Sequence, residues 1–372
     1  MLPCFRDPRQ FCGRAEWQVC RPIALAWTFT AAIVDFMGDR QGRRSLHILV
    51  IGGAGMIGAK LIGRLAADGA INGRPVTRLT RHDVVLAPPP PVTTFPIETF
   101  ASDLSEPGEA EKLVGSRPDL IFHLAAIVSG EAEADFAKGY RINLDGTRYL
   151  FEAVRRVGDG YAPRVVFTSS IAVFGAPFPE AIPDEFFTTP LTSYGTQKAI
   201  SELLLADYSR RGFFDGIGLR FPTICVRPGK PNLAASGFFS GIIREPLSGK
   251  EAILPVAEDV RHWHASPRAA IGFLLHAAGL DTRELGNRRN VTLPGVSCTV
   301  GEQIAALRRI AGDRVAGLIR KEPNETIMKI VAGWPRNFEA KRGLALGFKA
   351  ESSFDDIIRV HIDDELGGRV TS

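Results

Sequence analysis

From residue 46 onward, apolar positions alternate between two rhythms. His47-Ile-Leu-Val-Ile51 is a short, nearly continuous apolar run, the pattern of a strand buried on both faces. A glycine-rich turn follows, then an apolar-periodic helix through about Leu65. Residues 76–85 predict a second strand, ended by the prolines at 88–91, which neither a helix nor a central strand carries. Residues 97–101, 120–123, 164–169 and 217–221 predict four more strands, with long helical patterns over about 134–157 and over 193–211. Strands that alternate with helices at this spacing predict an α/β fold with a doubly wound parallel sheet, because parallel neighbours need crossover helices. After Pro222 the rhythm breaks into helices at 234–244, 267–278 and 300–311 with short strands between. Residues 46–221 therefore read as the sheet domain. Residues 222–372 read as mainly a smaller substrate-binding lobe, one segment of which is free to return to the sheet.

Residues 1–45 follow neither rhythm. An apolar run of twelve, Ile23 to Val34, comes after several arginines, as in a signal-peptide core, yet Asp35 ends it and no small-residue cleavage site follows. Three readings stay open: a true start at Met37, a disordered or surface-packed extension, or a targeting segment. The leader holds seven basic residues against four acids, so it carries +3 of the chain's formal +4 and leaves the body near neutral. A nucleic-acid-binding face needs clustered Lys and Arg and is not expected. At 45% hydrophobic and 23% charged, the 372-residue chain can bury a large core, and no apolar run reaches the length of a membrane span. Five cysteines are too few for a disulfide framework; Cys4, Cys12 and Cys20 lie in the leader, Cys225 and Cys298 in apolar surroundings. A reduced, cytoplasmic setting is expected.

Gly52, Gly55 and Gly58 stand at i, i+3 and i+6 between the first predicted strand and its helix. The first permits a tight turn, the second lets backbone approach a pyrophosphate, and the third lets helix pack on strand. The helix-start N–H groups, at Met56 and Ile57, then face the anion. This is the cradle of a Rossmann-type dinucleotide site. Asp83 lies 25 residues past the third glycine, at the end of the second strand, where a carboxylate accepts from ribose hydroxyls and repels a 2′-phosphate. NAD is the expected cofactor, although Arg78, Arg81 or His82 could soften that repulsion. Asp103 and Leu104, after the third strand, are placed to meet the adenine.

Tyr194 and Lys198 are four residues apart on one predicted helix and share a face. A tyrosine of ordinary pKa near ~10 is a poor base at neutral pH, and a cation alongside is expected to bring it down. Thr168-Ser169-Ser170 closes the fifth strand, at the carboxyl edge where open α/β sheets bind ligands. A serine there can hold a reacting hydroxyl against the tyrosine.

Gly52-x-x-Gly55-x-x-Gly58, His123-Leu-Ala-Ala126, Asn143, Thr168-Ser-Ser170 with Val173-Phe-Gly175, and Tyr194-x-x-x-Lys198 occur in the order found in the extended short-chain dehydrogenase/reductase family. The chain resembles that family over roughly residues 46–365. The family includes nucleotide-sugar epimerases and dehydratases. The resemblance implies that Ala125 and Ala126 line the cofactor, that Asn143 braces the active-site helix, and that Lys198 also holds the nicotinamide ribose. It implies that Ser170 and Tyr194 flank the reacting carbon, and by analogy that the protein is a homodimer. Two runs depart from the nucleotide-sugar enzymes: Arg220-Phe-Pro-Thr223-Ile-Cys-Val-Arg227-Pro-Gly-Lys230-Pro-Asn232 and Arg261-His-Trp-His-Ala-Ser-Pro-Arg268. They resemble the branch that oxidises the C2 hydroxyl of four-carbon sugar acids such as D-erythronate. That likeness makes Thr223, Arg227, His262 and Ser266 the candidate substrate contacts, with an arginine suited to a carboxylate. His262 and His264 lack a third ligand nearby, so no metal is expected. Two competing readings remain: a nucleotide-sugar epimerase or dehydratase that recycles bound NAD, and a non-catalytic NAD-binding sensor.

Overall fold

The computed structural model describes residues 45–88, 90, 92–229 and 235–370. The expectations for the leader, with its three cysteines, and for Lys230, Pro231 and Asn232 fall outside the described residues.

Six parallel strands carry the frame: β1 (Leu46–Ile51), β2 (Arg74–Asp83), β3 (Ile97–Ala101), β4 (Leu120–His123), β5 (Arg164–Ser170) and β6 (Asp215–Phe221). β1 is central because both its faces are apolar. Ile48 and Val50 enter one core, Leu49 and Ile51 the other. It pairs with β2, Ile51 opposite His82, and with β4, Ile51 opposite His123. The chain thus runs outward through β2 and β3 on one side of β1, then restarts at β4 on the other. Between β1 and β4 the strand order reverses, and a crevice opens at their carboxyl ends. Helix α1 (Met56–Asp68) leaves β1 through the glycine turn and buries Leu61, Ile62 and Leu65 against the sheet.

The helix expected over 134–157 is broken. Asp135 has extended backbone, φ −127° and ψ 90°, and its side chain accepts from the Lys138 N–H to start a new turn. A π-helical segment, Tyr140–Asp145, then interrupts the α-helical ladder before α2 (Gly146–Val157). Such bulges re-aim single side chains, and here the segment carries Asn143 to a buried position. Helix α3 (Ser193–Arg210) is unbroken and begins at Thr192, whose hydroxyl caps the Gly195 N–H.

Beyond Pro222, β7 (Thr223–Ile224) and β8 (Arg261–Ala265) pair in parallel. The chain then returns to the large sheet as β9 (Asn290–Thr292), parallel to β6, before β10 (Val296–Thr299) closes antiparallel on β8. Ile224 of β7, Ala265 of β8 and Val291 of β9 join the sheet core, whereas β10 rests on a separate core that includes Phe239, Ile243, Leu307 and Ile357. Cys225 and Cys298 are buried free thiols in the same core, and burial pushes both up to about 12. No helix among the described residues is long and apolar enough to cross a membrane.

Candidate active site

The glycine turn is shaped by contacts that exclude side chains. Gly52 has φ +86°, and a Cβ there would lie 2.6 Å from the Ala125 backbone nitrogen. A Cβ on Gly58 would lie 2.1 Å from the Gly52 carbonyl oxygen, so α1 can seat on the turn only through glycine. Gly55 is different: a Cβ there meets nothing closer than 3.5 Å and would stand in the cleft itself. Gly55 is also the N-cap of α1 and supplies no side-chain cap, leaving first-turn N–H groups for an anion. Among the described residues, a turn held bare on its cleft side and an uncapped thirteen-residue helix fit a dinucleotide pyrophosphate.

Asp83 ends β2 beside this turn, where its carboxylate accepts from the backbone N–H groups of Ala54 (2.9 Å) and Val84 (2.8 Å). Arg81 is 3% exposed and donates to the carbonyls of Ala87 (2.9 Å) and Pro88 (2.8 Å). Its guanidinium is thereby committed to the loop after β2 rather than offered to a 2′-phosphate.

The cleft, about 500 Å³, takes in Gly52, Gly55, Met56, Ile57, Gly58 and Ala126 on one side. Ser170, Tyr194 and Lys198 converge in it from two elements. Ser170 ends β5 and its hydroxyl accepts from the Ala172 N–H at 3.1 Å. Tyr194 opens α3, and the next residue, Gly195, allows the helix to press on the Ala172 carbonyl, where a Cβ would lie at 2.1 Å. That close seating brings the phenol within hydrogen-bond reach of Ser170. The neighbouring Ser169 instead donates to Glu202 at 2.6 Å.

The charges differ from the expectation. Burial pushes the Tyr194 phenol up to about 12, with the Arg227 charge and the Ser170 hydrogen bond pulling the other way. Lys198, 2% exposed, is held down to about 7 by burial, with Glu202 opposing. Its ammonium donates to the Thr168 carbonyl at 2.8 Å and stands 5.8 Å from the Tyr194 ring centroid. The expected lowering of the phenol by Lys198 is therefore not what these surroundings produce; burial outweighs it, and Arg227 is the first charge acting downward on Tyr194.

Arg227 enters from the lobe and is held by donation to the Ile224 carbonyl and the Ser236 hydroxyl, both at 2.9 Å. No carboxylate pairs with it among the described residues, and burial lowers its pKa. Thr223 lines the cleft from β7, and its hydroxyl lies 2.7 Å from His262 Nε2. The other ring nitrogen of His262, Nδ1, meets the Pro335 carbonyl at 2.9 Å, so neither nitrogen is left for a substrate.

Six expected residues do not reach the cleft lining: Asp83, Asp103, Leu104, Ala125, Asn143 and Ser266. Ser266 is fully buried as the N-cap of the helix Pro267–Gly279, where its hydroxyl caps the Ala269 N–H and bonds Glu351. That is a structural position and corrects its expected contact with substrate. Asp103 accepts from Ser105 and pairs with Arg141 at 2.7 Å, and the Leu104 side chain is buried in the sheet core; both stand outside the cleft lining. Asn143 stands behind the site: it accepts from the Ile127 N–H at 2.9 Å and donates to Gln197 of α3 at 2.8 Å, tying the β4 loop to the helix of Tyr194. Ala125 acts through its backbone against Gly52. Glu202, Trp334 and Pro335 were not anticipated. Glu202 follows Lys198 by one helical turn, a spacing visible in the sequence, and binds Arg220 through two nitrogens. Trp334 and Pro335 line the cleft from more than a hundred residues away and carry no local signal.

Fold and site define an NAD-dependent enzyme of the doubly wound class. The profile of the NAD dependent epimerase/dehydratase family matches residues 48–267, and the chain belongs to that family. It is 48% identical over 323 residues to the D-erythronate dehydrogenase of Cupriavidus necator, covering 86% of this chain and 98% of that protein. It is 40% identical to the D-erythronate dehydrogenase of Haemophilus influenzae, covering 86% and 100%. A crystal structure from Agrobacterium tumefaciens, described as a nucleoside-diphosphate-sugar epimerase, shares 66% identity and superposes with a TM-score of 0.86, covering 88% of this chain and 96% of that one.

Proposed function

We propose that the protein oxidises the C2 hydroxyl of a small sugar acid, D-erythronate, to 2-dehydro-D-erythronate, with NAD as hydride acceptor. The observation that carries this reading is Arg227: a half-buried guanidinium facing the cleft, without a carboxylate partner among the described residues, and near enough to Tyr194 to act on its phenol. A cation so close to the base suits a substrate whose carboxylate sits one bond from the carbinol being oxidised. The relatives named D-erythronate dehydrogenase, covering nearly their whole length, support the same substrate.

NAD bound across the glycine turn supplies the hydride acceptor and a positive charge on its nicotinamide. Tyr194 takes the C2 hydroxyl proton, Ser170 steadies that oxygen as it becomes a carbonyl, and Lys198 serves the ribose side of the site. Arg227 fixes the carboxylate, so the C2–H bond is aimed before reaction; such positioning is a large part of rate in hydride transfer. A cytoplasmic homodimer is the setting this reading takes, checked by light scattering of the purified protein and by cell fractionation.

The description of the Agrobacterium structure favours a second reading, an epimerase that recycles its NAD on a nucleotide sugar. One assay separates them. Purified protein with NAD and D-erythronate should build up NADH absorbance; activity on a nucleoside-diphosphate sugar with no net NADH, and none on sugar acids, would replace the first reading with the second.

A further inference from the structure

The Thr223–His262–Pro335 chain spans three separate segments of the lobe, and its hydrogens can be assigned from partner chemistry alone. A carbonyl oxygen only accepts, so the contact between His262 Nδ1 and the Pro335 carbonyl, 2.9 Å, places a proton on Nδ1. The ring is 2% exposed, and burial holds its pKa down to about 4, so near neutrality it carries one proton and Nε2 is bare. A bare imidazole nitrogen accepts. The 2.7 Å contact is therefore donation from the Thr223 hydroxyl to His262 Nε2, and the proton of Thr223 points away from the cleft. No other partner of that hydroxyl occurs among the described residues, so its free lone pairs face the substrate space. The ring itself is clamped: it lies parallel to Phe239, centroids 5.1 Å apart and planes 2° apart, with Trp334 at 5.3 Å on the wall of the cleft.

We infer that His262 is a positioning residue that makes Thr223 an acceptor-only contact, so that the cleft selects a substrate with a second free hydroxyl beside the reacting carbinol. This rests on the sugar-acid reading and deepens it. A hydroxyl can donate to Thr223; a ketone, a methyl ether or a bare methylene at that place cannot, and each leaves the threonine oxygen desolvated without a donor. The selectivity is thus set by a proton held on the far side of Thr223, not by any contact of His262 with substrate.

The test compares kcat/KM for D-erythronate with that for D-2-hydroxybutanoate, which keeps the carboxylate and the C2 hydroxyl and lacks the others. Wild-type protein should favour D-erythronate, and Thr223→Val should lower that preference about tenfold, the loss of one buried hydrogen bond. Thr223→Ser should restore it. His262→Phe, which keeps a flat ring against Phe239 and Trp334, should lower the preference through KM while NAD binding, read by fluorescence, stays as in the wild type. Nitrogen-15 NMR of the His262 ring should find the proton on Nδ1. An Nε2 proton, or a preference unchanged in Thr223→Val, overturns the inference alone; a protein that oxidises neither compound overturns the sugar-acid reading together with it.

Discussion

The two sides of the cleft are built in different ways. On the sheet side, each contributing group ends a regular element: the glycine turn after β1, Ser170 at the end of β5, Tyr194 and Lys198 on the first turns of α3. The lobe side gathers Thr223, Arg227, His262, Trp334 and Pro335 from segments separated by tens of residues. Groups at the ends of packed strands and helices are fixed by the same contacts that fix the fold, so that side suits chemistry shared by many substrates. Groups on short strands and connections can be exchanged without disturbing the sheet, so that side suits selection. Under the proposed function this becomes a division of labour: proton and hydride transfer on one wall, recognition of the acid on the other.

Substitutions should separate the two walls. Tyr194→Phe removes the base and should cost about 10²- to 10⁴-fold in kcat with NAD affinity retained, measured by NADH absorbance and fluorescence titration. Retained turnover would show that the phenol is not the base. Arg227→Met should act on the other wall, raising KM for the sugar acid by about 10- to 100-fold, the scale of a charge-assisted contact, and leaving the NAD dissociation constant in place. An equal loss of NAD binding would collapse the distinction. Gly58→Ala puts a Cβ 2.1 Å from the Gly52 carbonyl oxygen and should weaken NAD binding and lower stability by about 1–3 kcal/mol in denaturant unfolding, with KM for the acid little changed.

The pH profile sharpens the comparison further. Because burial raises Tyr194 and a base must lose its proton before it can accept one, kcat/KM for oxidation should rise from neutral into alkaline pH. A profile that falls over the same range would point to a different titrating group. The smallest effect belongs to Ser266→Ala. Loss of its cap should cost about 1 kcal/mol of stability and leave kcat and KM as in the wild type, since its hydroxyl faces Ala269 and Glu351 rather than the cleft.

Several elements could be read directly from the chain. β4 occurs at the residues its apolar run predicts, and β1 and β5 are each only one residue longer, because strands buried on both faces are apolar along most of their length. β3 also falls at its expected residues, although it is a largely exposed outer strand. The convergence of Ser170, Tyr194 and Lys198 in the cleft was legible because its signals are local: Tyr194 and Lys198 share one helix, and Ser170 ends a recognisable strand. The broken helix at 134–157 was not, since the apolar rhythm continues across Asp135, whose extended backbone starts a new turn, and across the π-helical segment, where Asn143 meets Ile127 and Gln197 from distant parts of the chain. Ser266 was misplaced for a related reason. Next to a candidate substrate run it reads as a contact, yet the helix that begins one residue later claims its hydroxyl as a cap.

The alternation of strands and helices, the glycine cradle, the tyrosine–lysine pair and the use of NAD were legible in the sequence itself, because each depends on local patterns that any chain of this kind places together. Which charge acts on Tyr194, which nitrogen of His262 carries its proton, and which wall Trp334 and Pro335 form were decided only by the tertiary structure. Those properties depend on desolvation and on partners far along the chain, and neither exists until the lobe is packed against the edge of the sheet.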